Sequence, residues 1–133
     1  GPMNPLYFPI EAPKIDKVRG VTDLGILLEA QAKLMRATGC EKVPPDLLLL
    51  LTLVNIIGEA QEALAFWTNV TKPWKDPGEI DIEHVKEELI DVLHFLLQAF
   101  VELDMTDNEV VDLYLQKNER NFERIKEKMS QRK

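Results

Sequence analysis

The most apolar part of the chain runs from Leu47 to Ile57 and is interrupted only by Thr52 and Asn55. As a helix this segment is about 16 Å long, roughly half of a bilayer core, so it does not predict a transmembrane span. A helix that is apolar almost all round has to be buried. One stripe of polar residues nevertheless follows it at three- and four-residue spacing: Thr52, Asn55, Glu59, Glu62 and Asn69. Such a stripe on a buried helix indicates a functional surface.

Helical periodicity and breaker residues predict an all-α chain, because no alternating apolar and polar run is long enough for a strand. Four helices are expected: about 22–39, 46–68, 81–103 and from 106 onward. Thr22 and Asp46 are capping candidates, Gly39 is a helix stop, and Thr106 with Glu109 forms a capping-box pattern. Gly1 and Pro2 resemble a tag remnant, and prolines make 3–21 an irregular arm. We expect a single domain over 22–129 and a frayed tail over 130–133.

The charge and cysteine content exclude several classes of function. The chain has 16 Lys and Arg against 23 Asp and Glu, a formal charge of −7, which disfavours binding to nucleic acids or membrane surfaces. The single cysteine, Cys40, cannot form a disulfide within the chain. These features predict a cytoplasmic protein.

Two acidic pairs are the strongest indication of chemistry. Glu59 and Glu62 are three residues apart on the second helix, and Glu88 and Asp91 have the same spacing on the third, so each pair projects from one helix face. A single pair of this kind is usually a solvated surface. Four carboxylates facing one space would repel one another unless cations were bound, and hard oxygen ligands favour Mg²⁺ or Mn²⁺.

The fourth helix carries residues suited to phosphate. Lys117, Asn121 and Arg124 share one face, and Asn118 lies beside them. Cationic and amide groups can donate hydrogen bonds to phosphate oxygens. Alternatively, these cations only balance acidic neighbours such as Glu119 and Glu123 on a surface helix.

The order and spacing of these motifs resemble a known superfamily. Glu59-x-x-Glu62, then Glu88-x-x-Asp91, then Lys117-Asn118-x-x-Asn121-x-x-Arg124, is similar to the all-α nucleotide pyrophosphohydrolases, the MazG-like and dimeric dUTPase superfamily. The local sequence around Glu88 and from Tyr114 to Arg124 resembles the dimeric dUTPases and phage dCTP/dUTP pyrophosphatases. The resemblance covers about residues 22–125 and implies a four-helix-bundle-like fold that assembles as a homodimer or homotetramer.

The resemblance also implies an activity and the roles of individual residues. It implies Mg²⁺-dependent hydrolysis of a deoxynucleoside triphosphate, dUTP or dCTP, to the monophosphate and pyrophosphate. Glu59, Glu62, Glu88 and Asp91 would bind the metal, with Glu59 or Glu62 orienting or deprotonating water. Lys117, Asn121, Arg124 and Asn118 would bind the phosphates. Gln31 resembles a glutamine that reads the base edge in this family, and the resemblance places the protein in a bacterial or phage-infected cell. From their positions alone, Trp67 beside the loop could stack on the base and His94, three residues after Asp91, could lie behind it. Each of the three also suits an ordinary surface or core position.

Three alternatives remain open at this point. A MazG-like enzyme could act on a purine dNTP such as dGTP or dATP. A di-iron carboxylate bundle generally needs two Glu-x-x-His motifs, and only Asp91-x-x-His94 comes near that pattern. A non-catalytic helical interaction protein would carry the same acidic stripes as solvated faces. The second helix has more apolar surface than one small bundle can bury, and this by itself favours an oligomer.

Overall fold

The computed structural model describes residues 23–64 and 81–132, and these residues form four α-helices and one short 3₁₀ turn. The helices are α1 (Leu24–Ala37), α2 (Pro45–Ala63), α3 (Ile82–Glu102) and α4 (Asp107–Gln131), with the turn at Cys40–Lys42. No strand occurs in these two ranges, so the predicted all-α class is confirmed. The proposed arm at 3–21, Trp67, Asn69 and the predicted end of the second helix at Thr68 lie outside the described residues.

The N-caps of the first two helices lie one and two residues away from the positions that the sequence suggested. Asp23, rather than Thr22, is the N-cap of α1, and its Oδ1 accepts a hydrogen bond of 2.8 Å from Gly25 N–H. Gly39 follows α1 in the left-handed conformation at φ 75°, as the helix-stop pattern predicts. The interpretation of Asp46 as a cap is wrong. Pro44 is the N-cap of α2 and Pro45 its first residue, because proline lacks the N–H that a first turn leaves unpaired.

The ends of α3 and α4 follow their sequence signals closely. Asp81 caps α3, with Oδ1 accepting a 3.1 Å hydrogen bond from His84 N–H. Asp104 then adopts φ 54° and ends α3, where Met105 N–H donates to Phe100 C=O at 2.9 Å. This six-to-one bond is typical of a Schellman ending. Thr106 Oγ1 accepts a 3.2 Å hydrogen bond from Glu109 N–H, as the capping-box pattern predicts.

The antiparallel pair α2 and α3 forms the largest helix contact in the described part of the chain, and α1 packs across α3. The buried apolar residues lie on α1 and α3: Leu28, Met35, Leu97 and Ala99. Two polar residues are buried with them, Thr52 at 0% and Gln31 at 4% exposure. Polar side chains at such depth need hydrogen-bond partners, and both have them. The core of the described helices therefore contains buried polar side chains from α1 and α2.

Large apolar faces of α2 and α4 are left uncovered by the described chain. On α2, Leu50 is 58% exposed and Ile57 61% exposed. The exposed apolar residues of α4 are Val111, Leu113, Tyr114, Leu115, Phe122, Ile125 and Met129. In the described ranges, α4 makes its main contact with α1, near the start of both helices. None of the described helices combines the length and apolarity needed to traverse a bilayer.

Candidate active site

Helices α2 and α3 bring carboxylates from both predicted acidic pairs together. Glu59, Glu88 and Asp91 each offer one oxygen such that the three atoms lie within 4.8 Å of one another. We call these three residues the acidic cluster. Glu59 and Glu88 are half-buried and Asp91 is exposed. Glu62 is exposed and lies beside Glu59 without joining this mutual set.

The electrostatics of the acidic cluster are unfavourable for three free carboxylates. Partial burial raises the pKa of Glu59 above its ordinary value, and the neighbouring carboxylates of Glu62, Asp91 and Glu88 raise it further. One turn earlier on α3, His84 Nε2 lies 3.7 Å from Glu88 Oε1. Negative charge therefore accumulates at one point between two rigid helices.

Two oxygens of the acidic cluster are buried and have no hydrogen-bond partner among residues 23–64 and 81–132. They are Glu59 Oε2 and Glu88 Oε2. A buried acceptor left unpaired destabilises a fold unless something satisfies it. Carboxylate oxygens converging from two helices are the donor set that Mg²⁺ and Mn²⁺ prefer. The residues present thus fit a hard divalent cation, which would satisfy the orphaned oxygens and offset the repulsion.

A cavity of about 380 Å³ lies along α2 and α3, and its lining residues do not include the acidic cluster. Asn55 of α2 lines it one helical turn from Glu59, and His94 of α3 lines it three residues from Asp91. The remaining wall residues come from α1, α2, α3 and the 3₁₀ turn: Gln31, Leu34, Met35, Thr38, Cys40, Leu48, Leu51, Thr52, Phe95 and Gln98. Its volume is at the small end of the range for ligand sites, about 300–1,000 Å³.

Comparison with known proteins decides the family. A family model described as dUTPase matches residues 23–109, which include α1, α2, α3 and the acidic cluster. The chain belongs to this dUTPase family. The superfamily that the motif order resembles is thereby confirmed.

Two curated relatives of this dUTPase-family chain come from bacteriophages. The dCTP pyrophosphatase of Enterobacteria phage T4 is 35% identical over 88 residues, covering 57% of this chain and 49% of the phage protein. The dCTP pyrophosphatase of Enterobacteria phage LZ5 is 37% identical over 76 residues, covering 48% of this chain and 42% of that protein. The chain thus spans about half the length of these relatives. No solved structure matches it significantly.

Two of the residues predicted near the base meet in the cavity of the dUTPase-family chain. His94 Nδ1 lies 2.9 Å from Gln31 Oε1. Because the amide oxygen carries no hydrogen, the ring nitrogen has to donate, and Gln31 keeps its Nε2–H₂ group for another partner. His94 is outside the set of converging metal-ligand atoms in the described residues. Its bond to Gln31 therefore gives no support to a Glu-x-x-His type of iron site.

Sequence reasoning did not assign a role to a third group of residues. Thr52, Gln98 and Glu102 form a hydrogen-bonded set, which we call the polar cluster, across α2 and α3. Thr52 and Gln98 also line the cavity. The signal was visible as Thr52 on the polar stripe of the second helix and as a glutamine on the third. Only the structure links them, because residues 46 and 50 positions apart have no local pattern that pairs them.

The predicted phosphate-binding residues of the dUTPase-family chain are on the exposed part of α4. Lys117, Asn121 and Arg124 are exposed, and Asn118 is half-buried. No ion pair in the described ranges joins them to the acidic cluster. Their role in binding phosphate remains a prediction.

Proposed function

We propose that this protein hydrolyses a pyrimidine deoxynucleoside triphosphate, dCTP and/or dUTP, to the monophosphate and pyrophosphate. The observation that carries the proposal is the acidic cluster, which has two buried oxygens without a partner among the described residues and begins one helical turn from Asn55 in the cavity wall. Family membership and the two phage dCTP pyrophosphatases support the same reaction.

The proposed metal is Mg²⁺, with Mn²⁺ as a substitute, bound by Glu59, Glu88 and Asp91 with Glu62 at the edge. When bound, the ion neutralises charge on the phosphates and activates water for attack. Glu59 is suited to orient that water or accept its proton, because its carboxylate converges with those of Glu88 and Asp91 at the proposed metal position. Glu62, beside it, is the second candidate for this role.

The nucleotide would lie along α2 and α3. The triphosphate would lie at the acidic cluster, and the base would enter the cavity toward Gln31 and His94. Lys117, Asn121 and Arg124, with Asn118, would bind phosphate oxygens. Trp67 would adjoin the base from the segment that follows α2.

We also propose that the protein works as a homodimer or homotetramer. The apolar faces of α2 and α4 support this assembly, since contiguous exposed apolar surface of this extent marks an interaction site. A second copy packed on α4 would place charged residues of α4 in a shared site. Sedimentation equilibrium tests this proposal, and Ile57→Lys on the exposed face of α2 should shift the population toward monomer. A monomeric wild-type protein at micromolar concentration would refute the assembly.

The deciding experiment for the reaction is a pyrophosphate-release screen with the canonical dNTPs, dUTP and the ribonucleotides, with Mg²⁺, with Mn²⁺ and with chelator. Metal-dependent pyrophosphate from a pyrimidine dNTP, identified with its monophosphate product, supports the proposal. Release from a purine dNTP alone would refute the pyrimidine assignment, and no release from any nucleotide would refute the activity.

A further inference from the structure

The polar cluster lies on the same pair of helices as the acidic cluster, and two of its residues, Thr52 and Gln98, line the cavity. Thr52 precedes Glu59 by seven residues on α2, and Gln98 follows Asp91 by seven on antiparallel α3. Seven residues of helix span about 10 Å. A nucleotide whose phosphates lie at the acidic cluster would therefore direct the far edge of its base toward Thr52 and Gln98. For a pyrimidine attached to its sugar at N1, the far edge is the substituent on C4.

Hydrogen bonding fixes which atom Gln98 presents there. Thr52 is fully buried, and its hydroxyl lies 2.7 Å from Glu102 Oε2 and 2.9 Å from Leu48 C=O. A hydroxyl has a single hydrogen, and these two oxygens can only accept it. Thr52 Oγ1 therefore has no hydrogen left for Gln98 and can only accept a hydrogen bond from it. Accordingly Gln98 Nε2–H₂ donates to Thr52 Oγ1 at 3.0 Å.

The amide oxygen of Gln98 remains available to accept a hydrogen bond. Within the described residues, Gln98 Oε1 has no hydrogen-bond partner, and the side chain lines the cavity. Turning the amide over would oppose Oε1 to Thr52 Oγ1, two acceptors without a hydrogen between them, which is unfavourable. The cavity therefore has a fixed acceptor at the depth where the C4 substituent of a pyrimidine would lie.

We infer that Gln98 reads the C4 substituent of the base and selects an amino group, with Thr52 as the residue that positions it. Cytosine has an exocyclic amino group at C4 that donates to Gln98 Oε1, whereas uracil has a carbonyl that opposes it. Gln31 complements this choice, because its free Nε2–H₂ can donate to an acceptor elsewhere on the cytosine edge. The inference rests on the proposed function for the placement of the nucleotide, and it names cytosine as the preferred base.

The first test uses binding, so that it does not depend on turnover. Calorimetric titration of the wild-type protein with dCMP and with dUMP, in Mg²⁺, should give at least about tenfold tighter binding of dCMP, since an unpaired buried polar group weakens binding by about this factor or more. Gln98→Met, which keeps the length of the side chain, should remove most of this preference. Equal binding of both nucleotides by the wild type, or an unchanged preference in Gln98→Met, would overturn the inference.

Turnover distinguishes this inference from the proposed function. In the wild type, kcat/KM for dCTP should exceed that for dUTP by about tenfold or more, and Gln98→Met should raise KM for dCTP with little change in kcat. Active wild-type protein with a preference for dUTP would refute the role of Gln98 while leaving the reaction class intact. Absence of all turnover would refute the reaction class, and the binding titration would still decide the role of Gln98.

Thr52 is tested by a pair of variants. Thr52→Val keeps the shape but removes the acceptor, so the amide of Gln98 is free to turn and the dCMP preference should fall. Thr52→Ser restores the hydroxyl and should restore the preference, which a purely structural role for the side-chain shape would not predict. Gln61→Met, on the exposed face of α2, is the control for losing a glutamine and should keep the wild-type preference.

Discussion

Gln31 of α1 and His94 of α3 are 63 positions apart in the sequence, yet Oε1 of one lies 2.9 Å from Nδ1 of the other. The glutamine is buried at 4% exposure, whereas the histidine is on the exposed side of the cavity wall. The contact joins α1 to the helix that carries Glu88 and Asp91. It therefore ties the proposed base end of the site to the proposed metal end.

Replacement of Gln31 by Ala should change substrate preference more than maximal rate. The variant removes the amide of a residue that lines the cavity, and it leaves His94 Nδ1 without its acceptor. We expect KM for the preferred nucleotide to rise by about tenfold, as for a lost hydrogen bond of about 1.4 kcal/mol, with kcat changed less. Steady-state kinetics with dCTP and dUTP measure both. An unchanged ranking of the two substrates would exclude Gln31 from base recognition.

Glu88→Gln should abolish most activity by removing one negative charge from the acidic cluster at almost constant size. We expect kcat to fall by at least about 100-fold, because a metal contributes several kcal/mol to a phosphoryl-transfer barrier. Glu87→Gln changes the adjacent exposed position and is the matched control. Mg²⁺-dependent shifts in melting temperature give a second readout that does not need turnover. Equal activity and equal shifts in the two variants would contradict the assignment of Glu88.

The stability of the protein should depend on pH through Glu59, whose ionised form is disfavoured in the folded state. Its pKa is raised in the folded state, so in the interval above the ordinary glutamate value of 4.5 the folded protein keeps a proton that the unfolded chain has lost. The stability linked to this proton is present below that interval and is lost as the pH rises through the raised pKa. Glu59→Gln removes this loss.

Thermal unfolding in chelator at pH 4 and pH 7.5 measures the effect. The melting temperature of Glu59→Gln relative to the wild type should be higher at pH 7.5 than at pH 4, and excess Mg²⁺ should stabilise the wild type more than the variant at pH 7.5. Glu87→Gln should show a difference that varies little with pH. If the difference for Glu59→Gln is independent of pH, its carboxyl is not destabilised by folding.

Two glycines in opposite backbone conformations should respond oppositely to alanine. Gly39 has φ 75°, which alanine adopts at a cost, so Gly39→Ala should lower the free energy of unfolding by about 1 kcal/mol. Gly58 lies inside α2, and an added Cβ would meet no atom within 4 Å. Gly58→Ala should raise the free energy of unfolding by about 0.5–1 kcal/mol. Urea titrations compare them, and effects of the same sign would contradict this account of Gly39.

The helices were predictable from sequence because their signals are local. Apolar periodicity, the Thr106 cap and the Gly39 stop each depend on a few adjacent residues. Residue spacing also predicted that each acidic pair shares one helix face. It could not show that Glu59, rather than Glu62, converges with Glu88 and Asp91. That distinction depends on how α2 is rotated against α3.

The polar cluster could not be predicted in the same way. Thr52 was visible as a polar residue in an apolar run, but its partners lie on another helix, 46 and 50 positions away. The misplaced cap at Asp46 has a local reason. Two prolines precede it, and the second of them can itself begin a helix, which moves the cap one residue before that proline.

The contacts between α2 and α3 also have a consequence for how this site can change. Thr52 meets Glu102 and Gln98 at one end of the antiparallel pair, and Glu59 meets Asp91 and Glu88 at the other. Sliding one helix by a turn would move both sets of partners by about 5.4 Å at once. The distance between the proposed triphosphate site and the proposed base site is therefore fixed by the packing of α2 against α3. A larger base would have to be accommodated by smaller side chains in the cavity rather than by a shift of either helix.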